Sequence, residues 1–399
     1  MHLRQLNLFH FKNIEEAHLE FQGDIVCLLG KNGTGKTSLL DAIYYLSFTK
    51  SAINPSDGQN VRQGQSQFII KGEFDMAIKE KDSNPDAKLI NSIRESPSPA
   101  DRDGVKPTPA SRHLLCAYQS GQKKIIREDG QDCTKFSEHV GRYPVVLIAP
   151  QDIELIWDGS EMRRKFFDTL ISQLDKNYLE NLIIYTNHLK QRNSLLRTFS
   201  ESGKIDHDLL ASYDQKIIPA GNYIFSKRKQ FAVDFLPFFK RHYQFLVSES
   251  KEEVHIQYRS DLEKSDFADL LGKNLQRDIL LQRTSSGIHR DDFEFLINAN
   301  ELKKFGSQGQ QKSFLIALKL AEFQCIAEAK QFKPILLLDD IFDKLDDQRI
   351  HQLMLLISQG TFGQLFITDA RQGRSQEILK EANVSGQVFS VENGTFTHG

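Results

Sequence analysis

Four cysteines in 399 residues, Cys27, Cys116, Cys133 and Cys325, are too few and too scattered for a disulfide scaffold or a zinc knuckle. Their spacing fits a reducing compartment in which each serves as a small core residue. No apolar run reaches 18 residues, which excludes a helical membrane span, and the opening Met1-His2-Leu3-Arg4-Gln5-Leu6 lacks the layout of a signal peptide. A soluble, cytoplasmic protein is expected. Neither charge is in excess: 51 Lys and Arg against 53 Asp and Glu leave a net charge of −2. Attraction to a polyanion therefore has to come from local basic patches and not from the global field. A repeat period and a sustained heptad are also missing, so no solenoid or long coiled coil is expected.

What the chain does have is a phosphate cradle. Gly30-Lys31-Asn32-Gly33-Thr34-Gly35-Lys36-Thr37 spells G-x-x-x-x-G-K-[ST]. It follows the apolar run Ile25-Val26-Cys27-Leu28-Leu29, read as a buried strand, and precedes Ser38-Leu39-Leu40-Asp41-Ala42-Ile43, read as the start of a helix. The glycines let successive N–H groups turn inward toward phosphate oxygens, and the helix N-terminus adds partial positive charge. The pattern assigns Lys36 to the β- and γ-phosphates of ATP and the Thr37 hydroxyl to Mg²⁺.

Some three hundred residues later, Pro334-Ile335-Leu336-Leu337-Leu338-Asp339-Asp340 is a buried-strand run that ends in two carboxylates and resembles a Walker B strand. Asp339 would hold Mg²⁺ through water, and Asp340 stands where a general base could orient the attacking water. Just upstream, Ser307-Gln308-Gly309-Gln310-Gln311 opens an amphipathic helix and resembles the signature motif of ABC-type ATPases. Ser307 is a candidate N-cap and Gly309 a close-approach position, so this second helix N-terminus could also face a phosphate; an ordinary capped helix is the plain alternative. Lys344-Leu345-Asp346-Asp347-Gln348-Arg349 is similar to a D-loop.

Between the two halves of the nucleotide site the periodicity changes. Strand patterns cover residues 1–29, 67–74, 114–119 and 124–128, interrupted by a loop at 79–112 rich in Ser, Pro, Asp and Lys. Helical spacing dominates 161–199 and 206–243, where Pro219 and Pro237 are expected to break or kink the second stretch. A strand at 254–258 and a short helix at 267–282 follow, then a hairpin of 293–297 with 301–305 over Asn298-Ala299-Asn300. The fold class is α/β: mixed β-sheets forming an ATPase head, with an inserted helical module. The expected division is a head part at 1–160, a helical arm at 161–284 and a second head part at 285–399.

The assembled motifs resemble the RecF family of bacterial DNA-repair ATPases, related to ABC-type and SMC-like heads. The resemblance runs the whole length. Its pieces are Phe11-Lys12-Asn13, the P-loop, Ile148-Ala149-Pro150-Gln151-Asp152, Arg163-Arg164-Lys165-Phe166-Phe167-Asp168 and Leu189-Lys190-Gln191-Arg192-Asn193. They continue with Gly287-Ile288-His289-Arg290-Asp291-Asp292, Ser307-Gln308-Gly309-Gln310 and Leu338-Asp339-Asp340. The family's usual proline after that glycine is Ile288 here, and the 79–112 loop looks longer than usual.

The resemblance implies that Gly30, Lys31, Asn32, Gly33, Thr34, Gly35, Lys36, Thr37 and Ser38 bind ATP, and that Thr37 and Asp339 serve Mg²⁺. It gives catalytic roles to Lys36, Asp339, Asp340 and, in the Q-loop region, Gln151, and a phosphate contact to Lys12. Ser307, Gly309 and Gln310 would act on ATP held by a second copy, making an ATP-dependent homodimer. It further implies weak, DNA-stimulated hydrolysis, binding to double-stranded DNA and single-strand/double-strand junctions, and partnership with RecR and RecO in loading RecA. An ATP-switched interaction protein without a direct DNA role is the alternative. Basic clusters at Lys123-Lys124, Arg163-Arg164-Lys165, Lys227-Arg228-Lys229 and Lys240-Arg241 either line a DNA groove or are solvated faces. His289 and Arg290 either join arm to head or form a structural pair.

Overall fold

The computed structural model describes residues 1–76, 110–247, 252–341, 346–371 and 386–398. Most of the Ser/Pro-rich loop, and Lys344-Leu345 of the D-loop-like segment, lie outside these residues; Ser111-Arg112, expected in the loop, instead belong to a strand.

Two sheets share one layer of core. The first is antiparallel and contains β1 (His2–Phe11), β2 (Ile14–Glu20), β4 (Gln67–Met76), β5 (Ala110–Gln119), β6 (Ile125–Glu128) and β7 (Gln131–Asp132), in the order β2-β1-β4-β5-β6-β7. The second is built on β3 (Ile25–Leu29), β8 (Val145–Ile148), β12 (Ile335–Leu338), β13 (Leu365–Asp369), β14 (Gln387–Glu392) and β15 (Thr395–His398). Its order is β15-β14-β3-β13-β12-β8, parallel throughout except for β15. Strands buried on both faces read as unbroken apolar runs, which is why β3 and β12 carry no alternation.

The two faces still divide their work. Val26, Leu28, Ile335, Leu337 and Phe366 pack with helix α1 (Lys36–Phe48) and the antiparallel sheet. Ile25, Cys27, Leu29, Leu336, Leu338 and Ile367 pack on the opposite side. That second core is filled by α2 (Ser160–Leu174), the far half of α4 (His207–Leu246), α6 (Gln308–Lys330) and α7 (Asp347–Ser358). Burial pushes the thiols of Cys27, Cys116 and Cys325 up to about 12, as expected of core residues.

The helical module consists of α2, α3 (Lys176–Ser202), the near half of α4 and α5 (Phe267–Leu281), packed around Tyr178, Tyr185, Ile217, Ile224, Phe267 and Ile288. Pro219 and Pro237 do not break α4, which runs 40 residues with both prolines inside. Each removes one backbone donor at a cost of roughly 3 kcal/mol. The helix survives because Ile217, Ala220 and Ile224 at one end and Phe235, Phe239 and Tyr243 at the other are all buried in packed cores. The expected hairpin is also shorter than read. β10 (Asp292–Ile297) pairs with only a two-residue β11 (Asn300–Glu301), and residues 302–305 form a helical turn. Asn298 and Ala299 make the turn with φ of 47° and 63°, a left-handed pair suited to a two-residue loop.

β10 also pairs along its whole length with β9 (Val254–Arg259), so a third sheet joins chain from both sides of residue 284.

Two buried arginines tie the module together. Arg192 bonds Asp214, Asp278 and the Thr284 hydroxyl, while Arg228 holds both oxygens of Asp168, Asp291 Oδ2 at 3.0 Å and the Ile288 carbonyl. His289 sits beside this network, with Nδ1 2.7 Å from the Tyr185 hydroxyl and Nε2 3.0 Å from the Thr284 carbonyl.

Burial, with neighbouring Arg290 and Arg164, lowers the pKa of His289 to about 4. The folded state therefore holds the neutral ring while an unfolded chain binds a proton near the usual histidine value of about 6.5. Its contribution to stability is complete above that value and is lost as pH falls from about 6.5 toward about 4. Chemical denaturation of wild type and His289→Gln across that window is expected to show a flatter pH dependence in the variant; parallel curves would contradict it.

Candidate functional site

The order of the parallel sheet decides the site. β13 lies between β3 and β12, and β8 flanks β12, so four carboxyl ends reach one edge together. From β3 leads the phosphate loop, from β12 come Asp339 and Asp340, from β13 Thr368, and from β8 the short turn Pro150–Ile153 bearing Gln151.

Thr37 Oγ1 donates to both oxygens of Asp339, at 2.9 and 3.0 Å. Thr368 Oγ1 donates to Asp339 Oδ1 at 2.8 Å and accepts the Asp340 N–H at 2.9 Å. Desolvation raises the Asp339 pKa above the usual carboxylate range, opposed by the bonds from Thr368 and Thr37 and reinforced by Asp340. Asp340 is held at φ 44°, a left-handed conformation that non-glycine residues occupy at a cost, and its Oδ1 is buried without a partner. A hydroxyl facing a buried carboxylate, next to an orphaned carboxylate oxygen, is a donor set suited to a hard divalent cation such as Mg²⁺ and to a water beside it.

Lys36 is buried, and its Nζ donates to the carbonyls of Gly30 (2.7 Å) and Lys31 (3.1 Å), which holds the ammonium at the loop. Gly35, the N-cap of α1, has φ 119°, a backbone that favours glycine. Gly30 is required for a different reason: a Cβ there would lie 2.3 Å from the Val391 carbonyl oxygen. Lys31, Asn32 and Gly33 are exposed, as a ligand-facing rim must be.

Two hairpin tips brace this loop from opposite sheets, through Asn13 and Gly394, neither of which was among the residues expected to bind ATP. Asn13 follows Lys12 in the tight β1–β2 turn; its Nδ2 donates to the Gly33 carbonyl, and its Oδ1 accepts from Ser38. Gly394, in the β14–β15 turn, donates its N–H to the Thr34 carbonyl at 2.7 Å. The Asn393-Gly394 pair, at φ 49° and 80°, is a strong short hairpin signal that the sequence itself carries.

The other expected residues are placed less directly. Lys12 Nζ pairs with buried Asp41 Oδ2 at 2.6 Å. Gln151 lines a cavity with Tyr44, Lys319 and Glu322, whereas Asp339 lines a neighbouring one of about 290 Å³. Its neighbour Asp152 is tied to the signature-like helix through Lys319, which lies 3.7 Å from Asp152 and 3.2 Å from Glu322. Ser307 caps α6 in a reciprocal box with Gln310, whose Nε2 donates to Glu252 at 2.8 Å. Gly309 abuts Arg349 of α7, which bonds the Ser313 hydroxyl. Among the described residues, no hydrogen bond or ion pair joins Ser307, Gly309 or Gln310 to residues 30–38 of the same chain.

Three of the basic clusters are partly consumed inside the fold, which corrects their reading as bare charge runs. Arg228 is buried, Arg163 is forked onto Asp292 at 2.8 and 2.9 Å, and Lys124 is spent on Asp57 and the Thr49 carbonyl. Lys240 and Arg241 stay exposed.

A family model described as an AAA domain matches residues 5–218. The DNA replication and repair protein RecF of Flavobacterium johnsoniae is 42% identical over 98% of this chain and all of its own length. The protein of the same name from Phocaeicola vulgatus is 37% identical, covering the whole chain and 98% of the relative. Among solved structures, the recombination mediator protein RecF with ATP, of the RecFOR pathway, superposes with a TM-score of 0.83 at 28% identity, covering the whole chain and 97% of that structure. An Smc head domain from Pyrococcus furiosus, at 14% identity over the whole chain and 96% of its own, matches with a TM-score of 0.52 and shares the fold alone.

The brace on the loop can be tested directly. Gly30→Ala is expected to push β14 away and to cost about 1–3 kcal/mol of stability together with most nucleotide affinity. Asn13→Ala is expected to lose nucleotide affinity with a smaller change in melting. Thermal unfolding and fluorescent-nucleotide titration check both, and unchanged affinity in the pair would dismiss the brace.

Proposed function

Because this chain belongs to the RecF family of DNA replication and repair proteins, with an ABC-type, SMC-like ATPase head, we propose that it binds and slowly hydrolyses ATP to control its hold on DNA. The observation that carries this reading is the Thr37 hydroxyl meeting both oxygens of Asp339, which joins the two halves of the nucleotide site across three hundred residues of sequence. Gly30 to Ser38 hold the triphosphate, Lys36 its β- and γ-phosphates, and Thr37 with Asp339 hold Mg²⁺, which when bound neutralises developing phosphate charge. Asp340, with its partnerless oxygen, orients the attacking water, and Gln151 stands at the neighbouring strand end. Lys12 reaches phosphate only by leaving Asp41.

Ser307, Gly309 and Gln310 complete the pocket of a second copy, so that ATP joins two heads as a homodimer. The capped N-terminus of a 23-residue helix supports this, because it offers donors and a positive dipole end to a phosphate that its own chain holds elsewhere. The clamp so formed acts in the cytoplasm, binds double-stranded DNA near single-strand junctions and works with RecO and RecR in RecA loading. Residues 1–160 and 285–399 form the head and 161–284 the arm, with β9 lying against the head's β10.

A second reading, an ATP-switched interaction protein without direct DNA contact, draws support from the internal pairing of Lys124, Arg163 and Arg228. Binding to gapped and fully duplex DNA, with and without ATP, separates the two. The clamp requires ATP-dependent binding that falls along a linear log-log salt slope. Salt-insensitive binding, or none, favours the second reading.

Size exclusion of the ATP-loaded protein tests the shared pocket. Wild type is expected to dimerise, Asp340→Asn to remain trapped as the dimer, and Ser307→Arg to bind ATP yet stay monomeric. Lys36→Arg should keep part of its ATP affinity and lose hydrolysis by roughly a hundredfold or more. A wild-type monomer with ATP bound refutes the arrangement.

A further inference from the structure

A cavity of about 480 Å³ opens where the C-terminal end of α1 meets α2 and α3, and none of the P-loop residues lines it. Lys50, Arg164 and Lys165 all face it. Among the described residues neither Lys50 nor Lys165 has an ion-pair partner, whereas Arg164, which gives its hydrogen bonds to the Ser160 hydroxyl and the Asp291 carbonyl, is already offset in part by Asp168, Asp291 and Asp292 nearby. The cations crowd one another: burial first, then Lys165 and Lys124, holds the Lys50 ammonium below its ordinary pKa. Two carboxylates also line the cavity. Asp168 is hydrogen-bonded to Arg228 and the Tyr178 hydroxyl and also acts on Arg164, which leaves Glu161 as the acid facing Lys50 and Lys165.

The back wall adds a second, independent sign. Ser172 is 5% exposed, and its Oγ is buried with no hydrogen-bond partner, although a helical serine can ordinarily reach the carbonyl one turn back. The wall of a cavity rimmed by cations thus carries an unpaired hydroxyl, closed to water in this conformation and with no partner to hold it there. The remaining walls are mostly apolar, Phe48, Val140, Leu179 and Leu182 with Thr169 and Thr186, and the volume is that of a small-ligand site rather than of a single ion.

We propose that this cavity is a second phosphate-ester site, separate from the P-loop, which takes a nucleotide-sized ligand with its phosphate on Lys50, Lys165 and Ser172 and its body against Phe48 and Leu182. The ligand is a nucleoside monophosphate, either free or as the phosphorylated end of a strand. Because α1 begins at Lys36 and ends at this cavity, occupancy is coupled to the P-loop through one helix.

The test is calorimetric titration of AMP into full-length protein whose P-loop already holds a non-hydrolysable ATP analogue, with adenosine as the phosphate-free control. The titration is repeated on Lys36→Ala protein, so that failure of the P-loop assignment reads out separately. A parallel arm measures anisotropy of a 3′-labelled oligodeoxynucleotide with and without a terminal 5′-phosphate. AMP binding that adenosine lacks, weakened about tenfold or more by Lys50→Ala/Lys165→Ala and to a lesser degree by Ser172→Ala, supports the site with a free nucleotide as ligand. Phosphate-dependent binding of the oligonucleotide alone, lost in the same variants, supports it with a strand end as ligand. No phosphate-dependent binding in either arm, or binding indifferent to the substitutions, overturns it.

Discussion

Two hydroxyls from separate stretches of chain, of Thr37 and Thr368, meet at Asp339, and the meeting depends on strand order. β13 has to enter the sheet between β3 and β12 for Thr368 to stand beside Asp339 while Thr37 reaches it from the helix that follows β3. A parallel sheet enforces this, because every strand then delivers its carboxyl end to the same edge. The antiparallel sheet contributes from outside, sending its first hairpin tip, Asn13, onto the phosphate loop. Both cores therefore serve one purpose: they hold two sheets in a fixed relation so that loops too polar and too glycine-rich to define themselves are defined by their neighbours.

The electrostatics follow the same division. At the sheet edge a buried carboxylate is kept costly, with its charge only partly satisfied by hydroxyls, which leaves it ready for a cation. In the helical module the buried charges are paired, Arg192 and Arg228 each with more than one acceptor, so that they specify packing, although Arg192 Nη2 is left without a bond. The Asp152–Lys319–Glu322 group stands between these cases. It links the strand-end turn, the signature-like helix and, through Lys319 5.0 Å over the Phe166 ring, the first arm helix.

Much of the candidate nucleotide site was legible because its parts are local: a strand, a glycine loop and a helix in one stretch, and an apolar run ending in two acids. The family resemblance extended that to the whole chain and to its fold. What escaped were relations that only tertiary structure creates. Asn13 gains its role from the hairpin tip of a second sheet, and Gly394 from a turn more than 350 residues along the sequence from Thr34. Arg228 departs from the solvated face expected of its basic cluster for a reason carried by helical spacing. On α4 it falls on the buried stripe of Ile217, Ala220, Ile224, Ala232 and Phe235, a helical spacing that outranks its being flanked by two lysines. Arg192 sits seven residues from both Tyr185 and Phe199 on the buried face of α3 in the same way. Pro219 and Pro237 mislead for the opposite reason: a local penalty of a few kcal/mol is outweighed by aromatic and aliphatic burial at both ends of the helix.

Those two prolines have a mechanical meaning. Each leaves the carbonyl four residues earlier, of Gln215 and of Val233, without its usual donor, so each is a point of reduced bending stiffness. One stands among the arm's aromatics and the other at the edge of the head core. Between them the axis advances 18 steps of 1.5 Å, about 27 Å, and every intervening residue keeps an N–H to donate to the ladder. Such a member works as a connecting rod between two compliant joints: it transmits displacement along its axis while letting either end tilt.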